Sequence, residues 1–96
     1  MSITINREMT ITHADFFRIL PKALRNCDYT VSSDEVQVKT GTDGRVIILL
    51  SEEKRRRIGS ISLPVTGVEL RFEGMSEQST RKFLAGFDRA YQKGGG

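Results

Sequence analysis

The stretch Arg57–Glu73, RIGSISLPVTGVELRFE, decides how this chain folds. Ile61, Leu63 and Val65 stand at odd positions, whereas Val68, Leu70 and Phe72 stand at even ones. Side chains alternate between the two sides of a strand, so the apolar phase changes across Thr66-Gly67. A two-residue hairpin there sets Val65 against Val68, Leu63 against Leu70 and Ile61 against Phe72, all on one face. A bulge in one long strand also changes the phase, but the hairpin matches every apolar residue and is the expectation. Pro64 has no backbone N–H to donate, so strand 61–65 is expected to lack a second partner at that point.

Upstream, residues 45–51 carry the run Val46-Ile47-Ile48-Leu49-Leu50, which predicts a central strand covered on both faces. Gly41-Thr42-Asp43-Gly44 reads as a turn, preceded by a strand over Val36–Thr40. Tyr29 and Val31 begin a similar pattern that Ser32-Ser33-Asp34 breaks. At the N-terminus Ile3, Ile5, Met9 and Ile11 alternate with polar residues, and Arg7 interrupts them. A single strand is preferred to a small hairpin over Asn6–Glu8.

Two helices complete the pattern. Thr12 followed by Asp15 three residues on reads as an N-cap, and Phe16, Leu20, Ala23, Leu24 and Cys27 recur at helical spacing. Pro21 predicts a kink in that helix, which is expected to end near Asn26. Ser76 caps the second helix, whose stripe is Phe83, Leu84, Phe87, Ala90 and Tyr91, with Glu77 and Arg81 as an i,i+4 pair. The expected class is α+β: an antiparallel sheet in the order strand, helix, four strands, helix, both helices packed on one face. This order resembles one half of the TATA-binding protein, in element order alone. Residues 1–93 form one domain, and 94–96 a glycine tail.

Ninety-six residues suffice for one core, and 38% hydrophobic with 28% charged residues is the balance of a folded chain. The single cysteine excludes an internal disulfide and a cysteine-only metal site, which fits a reducing cytoplasm. The opening MSITINREMT has neither a basic start nor an apolar run, so no signal peptide is expected, and no segment approaches a membrane span. The formal charge of +3 permits a polyanionic partner without requiring one.

The candidate sites are few. His13 is the only histidine and has no partner at metal or dyad spacing, so a structural role is expected. Cys27 reads as a small core residue. Lys54-Arg55-Arg56-Arg57 is the densest run of charge, placed at a hairpin tip beside Glu52-Glu53. Alternation sends Arg55 and Arg57 to one side and Arg56 to the other. Joined to Arg71, Arg45 and Lys39 the run becomes a basic sheet surface, although stacking aromatics are missing. The arginine cluster is similar to that of PilZ domains, whose downstream Asp/Asn-x-Ser-x-x-Gly this chain lacks. Ile47 and Leu49, opposite in phase to Val46, Ile48 and Leu50, are expected on the face away from the helices, amid Thr4, Thr10, Gln37, Ser60 and Ser62.

These residues suggest a small cytoplasmic, non-enzymatic protein, with no cofactor, metal or membrane partner. It is expected to act through a protein-interaction surface centred on Ile47 and Leu49, as a homodimer or with another protein. The alternative is nucleic-acid or anionic-ligand binding through Arg55, Arg56, Arg57 and Arg71. A third reading takes the terminal glycines as a carrier or modifier tail. Gly94 is better explained as a helix stop, with Lys93 in the last turn.

Overall fold

The computed structural model describes residues 2–24, 27–41 and 44–94 of the chain. Strand β1 (Ser2–Met9) and helix α1 (His13–Ala23) come first. They are followed by β2 (Asp28–Ser32), β3 (Glu35–Thr40), β4 (Gly44–Leu50), β5 (Lys54–Ile58) and β6 (Ile61–Glu73). Helix α2 (Glu77–Gly94) closes the order. The α+β class holds, as do an antiparallel sheet and two helices that share one core with it. The strands lie in the order β1-β6-β4-β3-β2, and among the described residues β5 pairs only with β6. No helix among the described residues is long and apolar enough to cross a membrane.

The hairpin expected at Thr66-Gly67 is not there. Residues 61–73 form one continuous strand, and the chain reverses instead at Gly59-Ser60, where Ile58 faces Ile61. Gly59 has φ +61°, the left-handed value that the first central position of a type II′ hairpin requires. The apolar phase changes because β6 crosses between two environments. Val68, Leu70 and Phe72 face the helices and are buried, whereas Ile61, Leu63 and Val65 belong to a stretch no helix covers. Gly67 serves a close approach rather than a turn. Its N–H donates to Ser51 Oγ at 2.8 Å, Ser51 N–H donates to its carbonyl at 2.8 Å, and a Cβ there would lie 3.0 Å from Ser51 Oγ.

Five strands therefore separate the helices, where four were expected. Ser51 lies opposite Gly67 and Lys54 opposite Val65, so three steps on one strand match two on the other. That is a bulge at Glu52-Glu53, and it lets β5 continue β4 along the same edge of β6. Counted as one bulged strand, β4 and β5 restore four, divided differently from the expected set. As Pro64 implied, residues 61–65 pair with β5 alone.

The single strand expected at the N-terminus is present, in register from Ser2 opposite Glu73 to Met9 opposite Thr66. Arg7 on its inner side is half-buried, and its guanidinium donates to Asp88 of α2 at 3.2 Å. Thr12 Oγ1 accepts from the Asp15 N–H at 3.1 Å, as the capping pattern predicts. The helix passes through Pro21 and stops at Ala23, with Leu24 as its cap, earlier than the expected Asn26; Arg25 and Asn26 lie outside the described residues. Ile19 joins Phe16, Leu20 and Leu24 in the core, although the predicted stripe omitted it. Ser76 Oγ accepts from the Ser79 N–H at 3.1 Å, and Arg81 pairs with Glu77. Gly94 is the last residue of α2 rather than a stop beyond it, and Gly95 and Gly96 lie outside the described residues. Thr42 and Asp43, the middle of the turn predicted at 41–44, lie outside them too.

Aromatic contacts join the layers. Phe16 stacks on Tyr91 with ring centroids 5.0 Å apart, and the Tyr91 hydroxyl donates to the Phe16 carbonyl at 2.8 Å. Phe72 of β6 meets Phe83 of α2 edge-on at 5.7 Å. Both helices thus lie over Val36, Val38, Val46, Ile48, Leu70 and Phe72, and among the described residues no element covers the other side of the sheet.

Candidate nucleic-acid interface

Lys54 to Ile58 with Ile61 to Val65 form a two-stranded arm, and the molecule is accordingly elongated, 48 × 25 × 23 Å. Every residue from Glu52 to Ser62 is exposed. Cross-strand partners share a side of the ribbon. Lys54, Arg56 and Ile58 therefore lie with Val65, Leu63 and Ile61, while Arg55 and Arg57 lie with Pro64 and Ser62. The expected split of the arginines holds, but both sides of a free ribbon face solvent. The result is an arm with cations all round it.

Charge distribution sharpens this. The chain has 15 Lys and Arg against 12 Asp and Glu. Residues 54–65 hold four of the cations and none of the acids, so the rest, with eleven against twelve, carries a formal −1. The net positive charge of +3 thus resides on the arm. Glu52-Glu53 do not neutralise it from within the strand. They form the bulge at its base, where the Glu53 carboxylate accepts the His13 N–H of α1 at 2.8 Å. Arg56 is the one arm cation with an acidic partner among the described residues, Glu8 of β1 at 2.5 Å.

His13 helps to pin that base. Its Nε2 lies 2.7 Å from the Ser51 carbonyl and its Nδ1 3.7 Å from Asp34. No local spacing marks this set, because the partners lie 21 and 38 residues away. Among the described residues no group of three His, Cys, Asp or Glu side chains is placed to hold a metal ion.

Arg71 is elsewhere. It sits on the uncovered sheet face, paired with Glu69 at 2.5 Å, and Arg45 pairs with Glu73 at 2.6 Å on the same face. Arg56 faces Leu63, and eight strand steps to Arg71 make a separation of roughly 25 Å. The fold brings Arg55, Arg56 and Arg57 together and does not bring Arg71 to them. Ile47 and Leu49 are on the uncovered face and half-buried, so β4 is central in the sheet but covered on one face rather than the two its apolar run implied. Ile47 lies between Gln37 and Arg71, and Leu49 between Glu35 and Glu69. Thr4 and Gln37 share that face, whereas Ser60 and Ser62 belong to the arm. Near Leu49 the face holds a shallow cleft of about 540 Å³ bordered by Asn6, Glu8 and Glu69.

Cys27 is half-buried against the core. Burial pushes the pKa of its thiol above that of a free cysteine, and the neighbouring Asp28 carboxylate adds to the shift. Iodoacetamide is expected to label it more slowly at pH 7 than it labels a free cysteine, with the rate rising with pH as thiolate forms; labelling at pH 7 as fast as a free cysteine contradicts this.

No protein-family model matches the chain, and comparison with curated proteins gives no match.

Proposed function

We propose that this protein binds nucleic acid through the β5–β6 arm, in a non-catalytic role. The observation that carries the reading is the arm itself, a projecting ribbon with four cations, no acid and the chain's net positive charge. Three of the four cations are arginines, whose planar guanidinium groups make paired hydrogen bonds to phosphate. An exposed basic projection attracts a polyanion at a distance and then contacts it on more than one side. Titration of a labelled 20-mer at several salt concentrations tests the reading. Affinity is expected to fall linearly in log–log form, with a slope near −3 to −4 if each arm cation displaces about one counterion. Salt-independent or absent binding sinks it.

A second reading, a protein-interaction or homodimer surface at Ile47 and Leu49, is favoured by the bare sheet face. It has less behind it, because both aliphatics are half-buried and their cross-strand neighbours on β6 are the charged pair Arg71 and Glu69. Size exclusion with Leu49→Arg tests it: loss of a dimer by a variant that stays folded supports the second reading, and an unchanged monomer counts against it.

A further inference from the structure

Resting on the nucleic-acid reading above, we infer that the arm's ligand is B-form duplex DNA, entered by the major groove, with Ile58 and Ile61 meeting thymine methyl groups. Four observations converge on this. The first is width. Two strands about 4.8 Å apart, with side chains on both sides, make a rod that a groove about 12 Å wide admits undeformed, whereas one of about 6 Å would first have to be widened at the cost of distorting the duplex. The second is charge on both sides of the ribbon: Arg55 and Arg57 face one way, Lys54 and Arg56 the other. A groove presents a phosphate wall on each side of an inserted rod, whereas a flat anionic membrane meets mainly one.

The third is the absence of aromatics. Residues 54–65 contain none, and Phe72 and Phe87 are buried in the core. Single-strand binding relies on bases stacking on aromatic side chains, for which the arm offers no platform. Duplex RNA has a major groove too deep and narrow for such a rod. The fourth is the tip. Ile58 and Ile61 are 58% and 59% exposed, the most exposed large apolar residues described. They are cross-strand partners and so lie together on one side of the ribbon. Lys54 to Ile58 spans about 13 Å, enough to carry the tip across a groove about 8.5 Å deep. The apolar group on a base edge in that groove is the thymine C5-methyl.

Fluorescence anisotropy on the intact protein, at one salt concentration, tests the inference. The probes are an A·T-rich DNA duplex, the same duplex with deoxyuridine for thymidine, a matched RNA duplex, the single strand, and phosphatidylserine vesicles. The thymine duplex is expected to bind tightest, and the deoxyuridine duplex roughly fourfold more weakly per methyl contacted. Ile58→Ala with Ile61→Ala is expected to abolish that difference while keeping the salt slope. Should this double variant misfold, the thymine–deoxyuridine comparison on the unaltered protein still decides. Equal affinity for those two duplexes, or RNA or single strand bound as tightly, overturns the inference and leaves the nucleic-acid reading standing. Salt-independent binding throughout, or preference for the vesicles, overturns both.

Discussion

Replacing Arg55, Arg56 and Arg57 together by alanine is expected to lower affinity for a DNA duplex on the order of a hundredfold at 0.15 M salt. Each phosphate contact releases about one counterion, so each lost contact lowers affinity by about fivefold at that salt. The log–log slope is expected to become shallower by about three over the same titration. Stability should hardly change. The three side chains are exposed, and the one acidic partner among them, Glu8, forms a surface pair that contributes at most about 1 kcal/mol. Arg71→Ala is the internal control. It removes one arginine charge, against three in the triple variant, from a position roughly 25 Å along β6, where Arg71 already pairs with Glu69. It is expected to cost at most a single contact's share of the affinity. A triple variant that binds as well as the parent, or an Arg71 variant that loses as much, would contradict the assignment of binding to the arm.

Phe16→Ala is expected to destabilise the fold by about 3–5 kcal/mol, the cost of emptying a large buried aromatic site. Phe16 is fully buried, stacks on Tyr91, and contacts Phe17 and Phe87. It lies where α1 meets α2, so its loss removes packing from both helices at once. A domain of this size has a typical stability of about 5–10 kcal/mol, so the variant should be partly unfolded at 37 °C. Urea titration followed by circular dichroism measures the change. A loss below about 1 kcal/mol would mean that the two helices do not depend on this contact.

These two sites also differ in how far the sequence disclosed them. Phe16 was legible as core because helical spacing repeats an apolar residue on the side that meets the sheet, and one-sided burial leaves that mark. Arg55–Arg57 were legible as a charged run but not as an arm. A run of charge has the same sequence on a sheet edge, in a turn or on a free ribbon. The local signal for the arm is Ile58-Gly59-Ser60-Ile61, a glycine-first pair between isoleucines, which the reading built on the apolar matching across Thr66-Gly67 did not use. Gly67 looked like a turn residue because the other reason for a mid-strand glycine, the side chain of Ser51, is 16 residues away in sequence.

By itself the sequence determined the class, both helix caps, the inward sides of β1, β3 and β4, and the Glu77–Arg81 pair. All of these are set by neighbours within a few residues or by one-sided burial with a fixed period. Only the tertiary structure decided the rest. It decided that β6 passes from a covered sheet to a bare arm, that Arg7 finds Asp88, and that His13 joins Ser51 and Asp34 at the arm's base. Alternation tells which side of a strand is apolar, but not what stands on that side. In RIGSISLPVTGVELRFE the same period-two pattern serves a helix-covered core at one end and open solvent at the other.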